Sequence, residues 1–173
     1  DIRQLRGKSI ALVPQSVNYL DPLMTVGRQL INGKRDAVSL ARMRQLFERY
    51  GLEEHAERLY PFELSGGMAR RVLLMTAMMN QPRLIIADEP TPGMDLSLAK
   101  RAMEDFRSFA DEGNGVILIT HDLQLAAEAA DRIVVFYAGT TVEEAQAADF
   151  RREELLRHPY TRALYRAMPE HGF

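Results

Sequence analysis

Short, almost continuously apolar runs alternate with amphipathic segments along the second half of the chain. The runs at residues 84–87, 116–120 and 133–137 are typical of strands that are buried on both faces. The segments between them, residues 99–110 and 123–129, repeat apolar side chains at the spacing of a helix. The order strand, helix, strand, helix, strand predicts a parallel sheet with helices covering both faces.

The first half of the chain opens with one more apolar run, residues 9–13, which predicts a buried strand followed by a loop that starts at Gln15. Helical patterns then occupy residues 25–31, 40–50 and 53–59. They predict a small helical insert between the first strand and a further helix after Leu64. From Glu143 to the end the pattern is mostly helical.

Composition and charge exclude several functional classes for this chain. The chain has 173 residues and is 46% hydrophobic, which is enough to bury one core. Its formal net charge is -2, with acids and bases interleaved, so it lacks the broad cationic field of nucleic-acid binders and we expect no nucleic-acid partner. The sequence has no cysteine, which excludes disulfides and thiolate metal sites and favours a cytoplasmic location.

The sequence also bears on membranes and on processing. No apolar run reaches the roughly 20 residues that a membrane-spanning helix needs. The start, Asp1-Ile2-Arg3-Gln4, lacks both the apolar stretch of a signal peptide and an initiator methionine. We therefore expect a processed or truncated piece of a longer protein, with any membrane connection made through a partner protein.

Two carboxylates, Asp88 and Glu89, follow the apolar run at residues 84–87. They would lie at the carboxyl end of a buried parallel strand, where open α/β sheets bind their ligands. In a nucleotide hydrolase the first carboxylate would hold magnesium and the second would polarise the attacking water. From these residues alone, two acids solvated at a strand end are an equally good interpretation.

A serine and two glycines precede the predicted helix after Leu64. Ser65 can cap that helix, and Gly66 and Gly67 would let a phosphate approach backbone N–H groups at the positive end of the helix dipole. A simple N-cap is the preferred interpretation of an isolated Ser-Gly-Gly. The stripe that follows predicts core packing rather than a metal site, and its members are Met68, Val72, Met75 and Met79.

Two further polar residues follow apolar runs. His121 comes after the run at 116–120, and its imidazole can hydrogen-bond a terminal phosphate. Gln15 comes after the first run, and its neutral amide can orient water or metal. Because the carboxyl ends of parallel strands share one edge of a sheet, both residues would lie on the same edge as Asp88 and Glu89. Taken singly, each is weak support for function.

Taken together, these motifs resemble the nucleotide-binding domain of ATP-binding cassette (ABC) transporters in order and spacing. The matching segments are Gln15 for the Q-loop, Leu64-Ser65-Gly66-Gly67-Met68 for the LSGGQ signature, residues 84–89 for the Walker B strand, Pro92-Gly93-Met94-Asp95 for the D-loop and His121 for the switch histidine. The resemblance implies an α/β fold with a partial P-loop NTPase (RecA-like) parallel sheet flanked by helices and a small α-helical subdomain.

The resemblance also divides the chain into three parts. Residues 1–14 and 83–142 would form the partial catalytic core. Residues 15–82 would form the Q-loop, the helical subdomain and the signature helix, and residues 143–173 would form a C-terminal helical tail.

The cofactors that the resemblance implies are ATP and Mg²⁺. Glu89 would be the general base, while Asp88 and Gln15 would serve the magnesium ion and the attacking water. His121 would contact the γ-phosphate.

The resemblance implies a head-to-tail dimer that sandwiches two ATP molecules. Ser65, Gly66 and Gly67 would touch the γ-phosphate held by the partner subunit. Asp95 would link the two sites across the dimer.

The segment Phe62 to Met68 and the tail His158 to Leu164 resemble the oligopeptide, dipeptide and nickel importer branch of the family. The implied partners are a second ABC ATPase in a homo- or heterodimer, transmembrane permease subunits docked at the Gln15 loop and helical insert, and indirectly an external substrate-binding protein. The chain would lie on the inner face of the cell membrane. It departs from the branch at two places: Ala69-Arg70 stands for Arg-Gln, and Pro92-Gly93-Met94 stands for small-Ala-Leu.

A phosphate-binding loop of the form G-x-x-x-x-G-K-[ST] is missing from the sequence. Gly7-Lys8-Ser9 fails as a candidate because Ile2 occupies the first glycine position and a strand follows instead of a helix. The family carries this Walker A loop upstream of the Q-loop. We therefore expect that the 173-residue chain alone neither binds ATP usefully nor hydrolyses it, and that core surface is exposed where upstream strands would pack.

Two other classes fit part of the pattern. A DNA-maintenance ABC ATPase would share the motifs, but such proteins typically insert long coiled coils and the sequence has no sustained heptads. A non-catalytic interaction module that docks on a membrane subunit is favoured by the missing phosphate loop and opposed by Glu89 and His121. Whether the transported substrate is a peptide, nickel or a metal chelate cannot be read from these residues.

Overall fold

The fold was described from a computed structural model, which covers residues 5, 7 and 9–168. The expectations for Asp1-Ile2-Arg3-Gln4 and for Lys8 lie outside the described residues. The chain forms two compact units, one up to Ile119 and one from Thr120 onward. Each unit is described by itself.

The first unit is organised around a three-stranded parallel sheet in the order β1-β2-β3. The strands are β1 (Ile10–Val13), β2 (Leu84–Asp88) and β3 (Gly115–Ile119). Val13 pairs with Ala87, and Ala87 pairs with Leu118, so the three strands end at one edge. The strands predicted from residues 9–13, 84–87 and 116–120 are confirmed to within one residue, and their parallel arrangement follows from the crossover through helices.

A helical insert lies between β1 and β2. It contains α1 (Val26–Ile31), α2 (Ala37–Arg49) and α3 (Gly66–Met79), with 3-10 turns at Val17–Tyr19, Glu54–Arg58 and Pro61–Glu63. Local chemistry sets the helix ends: Asn32 ends α1 in the left-handed region with φ 44°, and the Asp36 carboxylate starts α2 by accepting from the Ser39 N–H at 2.8 Å. The predicted helical insert is confirmed.

The core of this unit forms around α3, which packs against β1 and against α1 and α2 of the insert. The predicted stripe is confirmed at Val72 and Met75, which are fully buried, while Met68 and Met79 at its ends are half-buried. The next helix, α4 (Leu96–Asp111), packs on β3 and buries one face through Ala99, Ala102, Met103 and Phe106.

The two faces of the sheet differ in exposure. Ala11, Val13, Ile85 and Ala87 on one face are buried. On the other face Leu12, Ile117 and Ile119 are 48%, 49% and 51% exposed. Among the described residues the second face is therefore not fully covered, so the prediction of coverage on both faces is wrong there, and the expectation of exposed core surface is confirmed. An apolar strand pattern predicts that a face of the sheet is buried, but it does not predict which element covers that face.

The second unit begins with α5 (Leu123–Ala129), followed by β4 (Arg132–Tyr137) and β5 (Thr140–Gln146). The 3-10 turns Ala147–Arg151 and Glu153–Leu155 and the helix α6 (Pro159–Arg166) complete it. A core of seven buried residues holds these elements together, and its members are Ile133, Val135, Ala147, Phe150, Leu156, Tyr165 and Met168.

Two predictions for this unit are wrong. The run at 133–137 is not a strand of the parallel sheet, because β4 pairs antiparallel with β5. Residues 143–146 are the second half of β5 and not part of a helical tail. The cause is a two-residue turn at Ala138-Gly139, whose φ values of 49° and 79° are those of a type I′ hairpin turn. The three-part division of the chain stays a prediction, although its boundary at 142–143 falls within β5.

Candidate functional site

The carboxyl edge of the three-stranded sheet brings together residues that are far apart in sequence. Val13 pairs with Ala87 across β1 and β2, so Pro14 and Gln15 follow β1 at the edge where Asp88 ends β2. The Gln15 side chain is exposed and that of Asp88 is half-buried. Gln15, Asp88 and Glu89 thus occupy the position at which open α/β sheets bind ligands.

Glu89 is held in an unusual backbone conformation. Its φ is 46°, in the left-handed region that residues with a Cβ seldom adopt. The following residue is Pro90, which further disfavours a helical conformation at position 89. A hydrogen bond from the Glu89 N–H to the Ile119 carbonyl, at 2.9 Å, ties this residue to the end of β3. Strain of this kind, maintained by neighbouring strands, is concentrated at functional sites.

The start of α3 presents the serine and the two glycines. The Ser65 Oγ accepts from the Met68 N–H at 3.2 Å, so the serine caps the helix. A Cβ added to Gly66 would meet nothing within 4 Å, whereas one added to Gly67 would lie 3.1 Å from the Gly93 carbonyl oxygen. Since Ser65 and Gly66 are exposed, the positive end of the helix is accessible to an anion.

The segment after the carboxylates forms a tight turn. The Met94 N–H donates to the Thr91 carbonyl at 3.0 Å, and Gly93 has the φ of 80° that a type II turn needs at its third position. Asp95 then caps α4 by accepting from the Leu98 N–H at 3.0 Å. The Ser97 hydroxyl, 2.6 Å from Asp95 Oδ1, and that N–H lower the pKa of Asp95.

The sequence drew attention to Arg70 only as a departure from the importer branch. The structure buries it to 9% exposure and directs its Nη1 to the Pro14 carbonyl at 3.0 Å. Burial lowers the pKa of Arg70, and the negative charges of Asp88 and Glu89 partly oppose this effect. A charged residue in the middle of an apolar helix was the signal that could have identified it.

The oxygen donors at this edge suit a hard cation. The part of the chain that the structure describes holds no group of three or more His, Asp or Glu side chains that could bind a metal by itself. Magnesium, however, is usually held by one or two protein ligands together with phosphate oxygens and water. The Asp88 carboxylate and the Gln15 amide oxygen fit that requirement.

His121 belongs to the second unit and is exposed. It lies two residues after the end of β3 in sequence, in a segment that leads into α5. The Asp122 N–H donates to Thr120 Oγ1 at 3.0 Å, and the Asp122 carboxylate caps α5 by accepting from the Leu125 N–H at 2.9 Å. The role of His121 in the site stays a prediction.

Comparison with known proteins fits this geometry. A family model described as ABC transporter matches residues 1–92 of the chain. The chain therefore belongs to the ABC transporter family, as its motifs predict. A solved dimeric ATP-binding cassette bound to ADP and Pi is 29% identical with a TM-score of 0.71, over 82% of this chain and 64% of that one. The predicted fold class is thereby confirmed.

The chain is also similar to curated proteins that are named as peptide transport ATP-binding proteins. The dipeptide transport ATP-binding protein DppD of Haemophilus influenzae is 41% identical over 97% of this chain and 53% of its own length. The oligopeptide transport ATP-binding protein AppD of Bacillus subtilis is 36% identical over 98% of this chain and 54% of its own length. The predicted likeness to peptide importers is confirmed, and the chain spans about half the length of these relatives.

Among the described residues, no helix combines the length and the apolar character needed to cross a bilayer.

Proposed function

We propose that the chain is part of the ATP-hydrolysing subunit of a peptide importer. The observation that carries the proposal is the carboxyl edge of the sheet, where Gln15, Asp88 and a strained Glu89 lie together. Phosphoryl transfer from ATP depends mainly on positioning and on electrostatic stabilisation, and this edge supplies polar groups fixed by three parallel strands.

In this proposal Glu89 is the general base that orients and deprotonates the attacking water. Asp88 and Gln15 hold Mg²⁺, which neutralises the charge of the phosphates when it is bound. The role proposed for His121 is contact with a γ-phosphate. The fixed backbone of Glu89, tied to Ile119, supports its role because a base must be held in place relative to its water.

The start of α3 serves the nucleotide of a second ABC ATPase subunit. Ser65, Gly66 and Gly67 offer backbone N–H groups and a positive helix end to a γ-phosphate, and the exposure of Ser65 and Gly66 and the open space at Gly66 support this role. Asp95 lies after a turn that contacts Gly67, which supports a role for Asp95 in linking the two sites of the dimer. The dimer can be homomeric or can pair two related subunits.

We further propose that the subunit lies in the cytoplasm against the inner face of the cell membrane, bound to transmembrane permease subunits that receive cargo from an external binding protein. Exposed aromatic and apolar side chains on the helical insert support such docking, and they are Tyr19, Leu23, Val38 and Phe62. Peptides are the favoured cargo because the curated relatives are peptide transporters. Nickel and metal chelates are less favoured cargoes.

The 173-residue chain by itself is proposed to lack ATPase activity, since its sequence holds no phosphate-binding loop to provide the ground-state contacts with the triphosphate. Titration of a fluorescent ATP analogue in the presence of Mg²⁺ tests the whole proposal. The full-length protein should bind with micromolar affinity and hydrolyse ATP, and the 173-residue chain should do neither. Light scattering should also detect an ATP-dependent dimer of the full-length protein.

Each arm of this experiment has a decisive outcome. Absence of ATP binding by the full-length protein would refute the ATPase function. Micromolar binding by the 173-residue chain would show instead that its own residues hold the triphosphate. Salt-sensitive binding of DNA would favour a DNA-maintenance ATPase over a transporter.

A further inference from the structure

Arg70 is a buried cation whose presence is not explained by packing. It lies on α3, whose other buried residues are apolar, and 9% of its surface is exposed. Its Nη1 donates to the Pro14 carbonyl at 3.0 Å, while its Nε has no hydrogen-bond partner among the described residues. A buried charge with an unsatisfied donor destabilises a fold, and an apolar side chain of similar volume is often neutral or stabilising at such a position.

The guanidinium group lies where the candidate site is assembled. Pro14 is the residue between β1 and Gln15, so the hydrogen bond from Arg70 holds the backbone at the base of the Gln15 loop. The charges of Asp88 and Glu89 act on the same guanidinium. One side chain therefore connects the helix that begins with Ser65 to the loop that carries Gln15.

Another arginine near α3 shows what a purely structural role looks like. Arg42 donates from Nε and Nη2 to the Met78 carbonyl at 3.1 and 2.8 Å, and it thereby caps the last turn of the helix. Its contact lies at the opposite end of α3 from Ser65. Arg42, which lies on α2, thus provides a control of the same residue type that also contacts α3.

We propose, relying on the ATPase function proposed above, that Arg70 is a positioning residue of the hydrolytic site. It fixes the base of the Gln15 loop through the Pro14 carbonyl, so that Gln15 keeps its place at the carboxyl edge of the sheet.

The test uses the full-length protein with Arg70→Met, Arg70→Lys and Arg42→Met. Arg70→Met should lower kcat about tenfold and change KM for ATP by less than about twofold, because the loss is one of positioning and not of nucleotide binding. Its melting temperature should not fall. Arg70→Lys should restore part of kcat, since it keeps the charge without the planar fork. Arg42→Met should lower the melting temperature and leave kcat within about twofold.

Hydrogen exchange without nucleotide provides a second readout. Amides of residues 15–20 should exchange faster in Arg70→Met than in the wild type and should be unchanged in Arg42→Met. If the wild type hydrolyses ATP and Arg70→Met has normal kcat and normal exchange, the inference is wrong. If the wild type has no ATPase activity, the proposed function fails, and the exchange data still decide whether Arg70 positions the Gln15 loop.

Discussion

Two clusters of polar side chains in the first unit differ in how well their polar groups are hydrogen-bonded. In the cluster around Tyr50, the hydroxyl donates to Asp105 Oδ2 at 2.6 Å, and Arg49 Nε donates to Asp105 Oδ1 at 2.6 Å. At the carboxyl edge of the sheet, the buried Arg70 Nε has no hydrogen-bond partner among the described residues, and Glu89 holds a φ of 46°. The first cluster stabilises the fold, whereas the second retains features that cost free energy next to the candidate chemistry.

The difference shows which buried polar groups point to function. Tyr50 is completely buried, and burial together with the charge of Asp105 raises its pKa, so it remains a neutral donor. The pairing joins the end of α2 to the middle of α4, and Arg71 adds bonds from α3 to the Tyr50 and Gly51 carbonyls at 2.9 Å each. We infer that loss of this cluster affects stability, and that loss of the other affects activity.

Glu89→Gln should change activity more than any other substitution proposed here. It therefore tests most directly whether the carboxyl edge of the sheet serves activity. In the full-length protein it should reduce ATP turnover by at least about a hundredfold, since glutamine cannot accept a proton from the attacking water. ATP binding should be retained because the fold of the edge is unchanged. Steady-state hydrolysis and equilibrium titration of the nucleotide measure the two quantities.

Glu104→Gln is the matched control for that variant, since Glu104 is an exposed glutamate on α4. Its turnover should equal that of the wild type. Near-normal hydrolysis by Glu89→Gln would remove Glu89 from the role of general base.

Asp105→Ala should give the largest loss of stability. It leaves the fully buried Tyr50 hydroxyl without its acceptor and takes the carboxylate from Arg49, so the free energy of unfolding should fall by about 2–3 kcal/mol. Urea unfolding measures the change. Asp111→Ala, which removes an exposed partner of Arg107 on the same helix, should cost less than about 0.5 kcal/mol. Equal effects of the two variants would contradict the difference drawn between the clusters.

Tyr50→Phe should have a smaller effect, because Asp105 then keeps its bond with Arg49. A loss of about 1 kcal/mol is expected for one hydrogen bond. In a double-mutant cycle, Tyr50→Phe should lower the free energy of unfolding only slightly further once Asp105→Ala has been made. Strict additivity would show that the hydroxyl and the carboxylate do not act as a pair.

Glu143 extends the comparison to the second unit, where the contribution of a buried carboxylate to stability should depend on pH. Burial raises the pKa of Glu143, but the N–H groups of Arg157 and His158, at 2.7 and 2.9 Å, lower it by more, so that it lies below its ordinary range. A depressed carboxyl pKa stabilises the fold above the unfolded value of about 4.3, and the stabilisation is lost as pH falls through the folded value.

Thermal unfolding as a function of pH tests this assignment. Glu143→Gln should flatten the loss of stability in the range below about pH 4.3, where the wild type loses its charged hydrogen bonds. A wild-type slope in that variant would show that Glu143 makes no such contribution.

Local signals predicted most of the elements. Strand β2 and helices α1, α3 and α5 follow from runs of apolar side chains and from caps such as Ser65 and Asn32, whose effects reach only a few residues. The hairpin of β4 and β5 was missed because Ala138-Gly139 is a weaker turn signal than Asn-Gly, and the apolar run before it matched a buried parallel strand equally well.

The candidate residues were also predictable by type and by order, but their surroundings were not. Gln15, Asp88 and Glu89 each follow an apolar run, and the register of parallel strands brings such residues to one edge. The positive φ of Glu89 and the burial of Arg70 depend on contacts between segments that are distant in sequence, such as the hydrogen bond from Arg70 to Pro14 across 56 residues, and no local pattern predicts them.

The sequence by itself determined the family, the order of strands and helices in the first unit and the identity of the polar residues at the strand ends, because these depend on short motifs and on local periodicity. Only the tertiary structure decided that β4 turns back on β5, that one sheet face stays about half exposed at Leu12 and Ile117, and that Arg70 lies beside Pro14. Pairing, exposure and charge proximity are properties of distances in space, which are fixed when separate segments pack together.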